Sequence, residues 1–424
     1  MASESEIVSF KTAAWADPRM VDWYARKVTE NVADNRLKNR IETGLIASLV
    51  RGRDILDVGI GSGRASLPLL DTGITLTGID SSRAMLDECR RRAGGRPLRL
   101  EVGDVNAIPF HDAAFDSLVS LNVMTHFPNW REVLPEWLRV LRPGGRMVFD
   151  LYSLDHIEAI MAQRGPGLEH LLPGQAEANP SAFNMRVRVA ELADFALAQG
   201  VTLAAVHPYC GTLGGDQNYW MQEGWANGRI WDRMKSWIAE DDRLFDFLVF
   251  LEQEGYARLN SKASARFMVV MEKSPDDGAT AAVLAHQAAV DAALAAPVRL
   301  SNLAPFLGLP LEEWRSRFNT HLDHPRNRLV LFQLLSAGLV SGMEPDLADW
   351  LEPRHAALFD RWMLAFQLDQ QIYQLASTWY QAEAYADLLE YKGVPLGPGL
   401  EYERVQVLMR AAVSDSSPQG GDHV

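Results

Sequence analysis

Through the first 275 residues, short runs rich in Val, Ile, Leu and Phe alternate with stretches of helical period. The runs predict strands at Arg53–Val58, Thr75–Asp80, Leu98–Val102, Phe115–Leu121 and Arg146–Tyr152, and two more, after long gaps, at Val201–His207 and Arg266–Glu272. Helices are predicted at Arg64–Leu70, Arg83–Ala93, Trp130–Leu141 and Val187–Gln199. Strands alternating with helices read as an α/β domain with a doubly wound, mostly parallel sheet. Residues 153–185 and 208–265 break the rhythm. Connections in a compact domain usually run about 2–6 residues, and long segments at strand ends tend to build binding sites. Both are therefore expected to form a substrate cap over a domain spanning 1–275.

After Lys273 the pattern changes. Ser274-Pro275-Asp276-Asp277-Gly278 reads as a linker, followed by an Ala-rich helix at Ala279–Ala296 and helical patterns to about Ala412. The expectation is an all-α accessory domain over 276–413, with Trp350, Phe359, Trp362, Phe366, Tyr373, Trp379 and Tyr380 in its core. The polar tail at 414–424 is expected to be disordered. Residues 276–424 hold 10 Lys+Arg against 19 Asp+Glu, a net of -9, so docking of its helices on DNA is disfavoured. The whole chain is at -14, against a general nucleic-acid binder. No run of about 18 apolar residues predicts a membrane span. The start, MASESEIVSF, lacks the basic and apolar regions of a secretory signal. Two cysteines, Cys89 and Cys210, suggest a reducing, cytoplasmic setting.

The strongest chemical signal is Ile55-Leu56-Asp57-Val58-Gly59-Ile60-Gly61-Ser62-Gly63-Arg64, an apolar strand followed by a Gly-rich turn expected to open a helix. Glycines allow a sharp turn and close approach of a ligand. Asp80 ends the next strand, where a carboxylate can accept from ribose hydroxyls. A dinucleotide site would need Gly-x-Gly-x-x-Gly, but position 64 is Arg. Gly103-Asp104-Val105-Asn106-Ala107-Ile108-Pro109-Phe110, Phe115–Val123 and Val140-Leu141-Arg142-Pro143-Gly144-Gly145-Arg146 then follow in order.

With this series the chain resembles the class I S-adenosylmethionine-dependent methyltransferases, closely over about residues 40–150 and loosely to about 275. The resemblance implies a Rossmann-like seven-stranded sheet and S-adenosyl-L-methionine as cofactor. By position it implies that Gly59, Gly61 and Gly63 surround the methionine part and that Asp57 supports the loop or meets the amino group. It places Asp80 on the ribose diol, Ser81 and Met85 beside the adenosine, and Asp104 and the Val105 amide on the adenine. Asn122 would face the cofactor and its methyl group, and Tyr24, on an N-terminal lid, its carboxylate. For Trp23 and Tyr24, plain packing on the sheet stays open.

Methyl transfer from a sulfonium is an in-line displacement that needs alignment and exclusion of water. No metal is required, and Asp155-His156 and His321-x-x-His324 lack further ligands at useful spacing. His126, just past the fourth strand, is the first candidate base, with loop packing as the alternative. His207 and Tyr152, at the ends of the sixth and fifth strands, are further catalytic candidates, and Asp155 is a site-wall candidate. Tyr219, Trp220, Trp225, Trp231 and Trp237 either pack or wall the acceptor. The expected activity is methylation of O or N on a small metabolite or biosynthetic intermediate. Two alternatives stand beside it: a peptide or protein acceptor recruited by the C-terminal domain, and a cofactor-fold scaffold without transfer activity. Homodimerisation is a further role open to that domain.

Overall fold

The computed structural model describes residues 2–16, 19–21, 33–213, 218–219, 236–295, 298–340 and 346–360. One sheet runs in the order β3-β2-β1-β4-β5-β8-β7, with β6 paired to β5 off that path. Its strands are β1 (Asp54–Val58), β2 (Thr75–Asp80), β3 (Arg99–Val102), β4 (Phe115–Ser120), β5 (Leu141–Ser153), β6 (Arg186–Val187), β7 (Thr202–Tyr209) and β8 (Arg266–Glu272). The first five pair in parallel, and β8 lies antiparallel between β5 and β7. Ile55, Leu56 and Val58 of β1 are all buried, as a strand covered on both faces requires.

All seven expected strands form. The fifth starts at Leu141 rather than Arg146, because the Pro143-Gly144-Gly145 turn itself joins the sheet. There the Gly144 amide donates to Lys273 O at 3.0 Å and the Lys273 amide to Gly145 O at 2.8 Å. The eighth strand, β6, spans only two residues, too few for a hydrophobic period to show.

The helix expected at Arg64–Leu70 does not form. Turns lead instead into a 3₁₀ helix at Leu67–Thr72. Pro68 is the reason: in a helix begun at Arg64 its ring would clash with the Arg64 carbonyl and it could donate no hydrogen bond. Near the start of the shorter helix it is tolerated, and Gly73, at φ 80°, closes that helix.

The main core lies between the sheet and the helices Trp130–Val140 and Val189–Gln199, with Trp130 and Trp137 fully buried. Trp137 also reaches the ligand end of the sheet. Its Nε1 donates to Val105 O at 3.0 Å, while Glu136 Oε1 accepts from the Ile108 amide and Arg139 donates to the carbonyls of Ile108 and Phe110. One helix thereby holds the whole loop after β3.

The first insertion opens with the helix Leu154–Arg164, capped by Ser153, whose Oγ accepts from the His156 amide at 3.0 Å. The second contains the helix Asp242–Glu254, capped by Asp241. Trp220, Trp225 and Trp231 lie outside the described residues, while Tyr219 is buried and Trp237 half-buried.

The described chain forms two compact units. The helix Asp277–Ala293 belongs with the sheet, so the unit does not end at the linker around 275. Its Thr280 Oγ1 accepts from the Leu203 amide at 3.1 Å and Val283 packs on the main core. The second unit is helical, with helices at Leu311–His321, Pro325–Val340 and 353–360. In it Trp314 stacks on Phe318 at 5.0 Å and Phe332 meets Phe359 at 5.0 Å. Of the expected core aromatics, Trp350 and Phe359 pack there, and Trp362 onward lie outside the described residues.

Thr280→Val keeps the shape of the side chain but leaves the buried Leu203 amide without its acceptor. A loss of about 1–3 kcal/mol is expected in denaturant unfolding of the full chain. An unchanged midpoint would show that this helix does not contribute to the sheet's stability.

Candidate functional site

The loops that leave the carboxyl ends of β1, β2, β3 and β4 carry most of the residues singled out from the sequence. The Gly59 and Ile60 amides donate to Ile79 O at 2.8 and 2.9 Å, and the Gly63 amide to Ile60 O at 2.8 Å. The three glycines differ in what surrounds them. A Cβ on Gly59, at φ 72°, would come within 2.4 Å of Val123 Cγ2. One on Gly63, at φ 80°, would meet Leu67 at 2.5 Å and Cys89 Sγ at 2.8 Å. Only Gly61, at φ 52°, opens on free space, with nothing nearer than its own loop's Gly59 O at 4.0 Å. Gly59 and Gly63 are thus required for packing, while Gly61 leaves free space beside its backbone.

Asp80 organises this turn. Its Oδ2 accepts from the Gly61 amide at 2.9 Å and its Oδ1 from the Ser82 amide at 2.8 Å. Burial raises its proton affinity and these two bonds oppose that shift. Each oxygen keeps a further lone pair for a diol. Ser82 caps the helix Arg83–Ala93, accepting from the Met85 amide at 3.3 Å. Met85 is buried beneath, and Ser81 is exposed.

Asp57 lies at 1% exposure in β1, and its Oδ2 has no hydrogen-bond partner among the described residues. Burial pushes its carboxyl up to about 7, outweighing the pull of Ser66 and Arg64. The Ser66 hydroxyl is a close donor to this carboxyl, whose Oδ2 keeps acceptor capacity at the end of the strand that enters the Gly-rich loop. Asp104 is exposed, and its Oδ1 accepts from both the backbone and the side-chain nitrogens of Asn106 at 2.8 Å. Val105 is fixed by Trp137, as described above. These residues fit the adenosyl and methionine parts of S-adenosylmethionine.

Asn122, after β4, takes φ 59°, a conformation Asn tolerates better than most residues. Its amide donates to Asp150 Oδ1 at 2.6 Å, and its side-chain oxygen accepts from Arg266. That oxygen is therefore held by protein. Arg266 and Asp150 form a fully buried ion pair, joined by the Tyr209 hydroxyl, which donates to Asp150 Oδ2 at 3.1 Å. The Arg266 guanidinium also lies 4.8 Å from the Tyr152 ring centre, and that of Arg186 lies 5.2 Å from it.

His126 is half-buried, with Nδ1 enclosed and without a hydrogen-bond partner among the described residues. Burial first, then the positive charges of Lys11 and Arg266, push its imidazole down to about 3. It is a poor proton acceptor in this state. The Trp15 ring lies 6.3 Å from it, carried by the helix Glu4–Ala16, which also sends Lys11 Nζ to Ser181 O at 3.0 Å.

His207 is not brought to this group. It pairs in register with Met268, two rungs below the Tyr209–Arg266 rung, and its Nδ1 is bonded to Ala257 O at 2.9 Å. That bond makes it a strut between β7 and the turn at Tyr256–Arg258. Asp155 is similarly engaged, accepting from the Val189 amide at 3.0 Å and Ser261 Oγ at 2.7 Å. Tyr24 lies outside the described residues.

Sequence reasoning missed the buried charges. Glu42 accepts from Arg64, which also donates to Asn39 Oδ1 at 2.7 Å, and Lys38 lies 3.9 Å from Glu42. These contacts bind the helix Ala33–Leu49 to the Gly-rich loop. Arg36, on the same helix, points to Asp242 at 3.0 Å instead.

Residues 56–149 match the family model described as "Methyltransferase domain". An O-methyltransferase of Aspergillus sclerotiorum is 30% identical over 146 residues, 33% of this chain and 52% of that protein. A demethylmenaquinone methyltransferase of Renibacterium salmoninarum is 32% identical over 138 residues, 32% of this chain and 57% of that protein. The chain thus spans about half the length of these curated relatives. Among solved structures, a magnesium protoporphyrin IX methyltransferase of Synechocystis PCC 6803 with bound SAH aligns at TM-score 0.38 and 12% identity, over 63% of this chain and 100% of that one.

His156 ties the two insertions together. It is fully buried, its Nε2 accepts from the Tyr219 amide at 3.1 Å, and Nδ1 donates to Lys262 O at 2.7 Å. Burial pushes it down from 6.5 to about 4, so the folded state holds it neutral. Its contribution is complete above about pH 6.5 and lost as pH falls toward 4. Unfolding free energy of the wild type should fall over that window by on the order of 3 kcal/mol more than that of His156→Phe. Parallel curves would show that this histidine does not couple cap and proton.

Proposed function

We propose, from the match of residues 56–149 to a methyltransferase domain and the resemblance to O-methyltransferases, that the protein is a class I S-adenosylmethionine-dependent methyltransferase acting on an oxygen or nitrogen of a small metabolite or biosynthetic intermediate. The observation that carries this reading is the unpartnered Asp57 oxygen beside the open face of Gly61, with Asp80 at the end of the neighbouring strand. The cofactor supplies an electrophilic methyl on a sulfonium. In this reading Asp57 accepts from the methionine ammonium, and Gly59, Gly61 and Gly63 shape the loop around it. Asp80 holds the ribose, Ser81 and Met85 flank the adenosine, and Asp104 and the Val105 amide meet the adenine edge.

Asn122 and His126 border the methyl position in this reading. Asn122 acts through its backbone, since its side chain is engaged by Arg266. Tyr152 and His126 line the acceptor side, and His126 orients the acceptor rather than taking its proton, because its surroundings oppose protonation. The helix Glu4–Ala16, with Trp15 against His126, helps exclude water. The resemblance to an O-methyltransferase supports a small-molecule acceptor. Cys89 and Cys210, both buried and unpaired, support a reducing, cytoplasmic setting.

Calorimetric titration of the full chain with S-adenosylmethionine and S-adenosylhomocysteine tests the cofactor assignment. Both should bind, and Asp80→Ala should weaken each at least tenfold. Absence of binding to folded wild-type protein would overturn the reading.

A further inference from the structure

The acceptor side carries an electrostatic signature that the motif series does not. Two buried polar atoms there lack hydrogen-bond partners among the described residues, His126 Nδ1 after β4 and Arg266 Nε on β8. Arg266 is 2% exposed. Two carboxylates act on it, and both are engaged: Asp150 Oδ1 accepts from the Asn122 amide and Oδ2 from Tyr209 and Arg266, while Glu42 accepts from Arg64. The Tyr152 ring is approached by a second guanidinium, that of Arg186. The charged groups that act on His126 are both cations, Lys11 and Arg266. This concentration of positive charge stands in a chain of net charge -14.

We propose that the acceptor presents an anionic oxygen, a carboxylate or an ionised phenol or enol, beside Arg266, Tyr152 and His126, and that this oxygen is the atom methylated. The proposal rests on the methyltransferase reading and narrows it from O or N to an acidic O. An ammonium acceptor would be repelled by the same cations, at distances where a weakly screened unit charge is worth several kcal/mol. An anionic oxygen gains charge-assisted hydrogen bonds from buried guanidinium.

The transfer balances without a base. A lone pair of the anionic oxygen forms the bond to the methyl carbon as the carbon–sulfur bond breaks, its electrons remaining on sulfur. The negative oxygen and the positive sulfonium become a neutral ester or ether and a neutral thioether, and no proton moves. A histidine that cannot hold a proton near neutral pH is no handicap to such a reaction.

The test uses binding rather than turnover. The full chain, saturated with S-adenosylhomocysteine, is titrated calorimetrically with benzoate and para-nitrophenolate, and in parallel with benzylamine and benzyl alcohol. The two anions should bind at least tenfold more tightly than the amine and the alcohol. Arg186→Gln should weaken benzoate at least fivefold and Arg186→Lys should restore most of that loss; added chloride should weaken the anions selectively in the wild type. Equal or tighter binding of benzylamine or benzyl alcohol would overturn the proposal. So would failure of both anions to bind protein that binds S-adenosylhomocysteine. If S-adenosylhomocysteine itself does not bind, the cofactor reading falls first and this inference with it.

Discussion

The ligand end of the sheet depends on one buried ion pair, Arg266 with Asp150. Neither side chain reaches solvent, and desolvating two such ions costs several kcal/mol each unless geometry and further hydrogen bonds recover it. Here the further bonds run outward. Asp150 takes the Asn122 amide and the Tyr209 hydroxyl, and Arg266 takes the Asn122 side-chain oxygen and lies on the Tyr152 ring. The pair therefore joins β5, β8 and β7 and at the same time pins Asn122, two residues after β4, in a left-handed conformation. Losing one partner would leave a buried charge uncompensated and release the loop that carries His126.

That arrangement explains why β8 runs against its neighbours. An antiparallel strand brings its first residue, Arg266, level with the last residues of its neighbours, in register with Tyr152 and Tyr209. The cation is delivered to the carboxyl-terminal edge, where ligands of open α/β sheets bind, by the residue that enters the strand. A parallel strand would have brought its last residue there instead. Topology and electrostatics are the same fact at this rung.

Much of the fold was legible because it is local. Alternating apolar runs located all seven long strands, and the Gly59–Gly63 turn followed by Asp80 marked the ligand edge. The errors are local too: Pro68 forbids the helix after the loop, and the sequence displays that proline openly. Asp277–Ala293 looked like the start of another domain because it follows a Pro/Asp/Gly linker. Its membership of the first unit depends on Thr280 meeting Leu203, a contact between residues 77 apart that no periodicity announces. The charged cluster was illegible for the same reason. Asn122 and Arg266 are 144 residues apart, and Arg64 and Glu42 read singly as surface charges. His207 looked catalytic by position at a strand end, until the register placed it two rungs too low.

The glycines of the turn show why a motif reports a fold more securely than a function. Gly59 and Gly63 are required because Val123, Leu67 and Cys89 occupy the space a side chain would need, so both would be needed even in a protein that bound nothing. Of the three glycines of the turn only Gly61 faces open space, and the buried Asp57 Oδ2 has no hydrogen-bond partner among the described residues. These two residues carry information about a ligand that the rest of the motif does not. The same distinction holds on the acceptor side. Tyr209 and Asp150 are satisfied by protein and would stabilise the sheet whatever the chemistry, whereas one nitrogen each of His126 and Arg266 finds no partner among the described residues and is open to a water or a bound group.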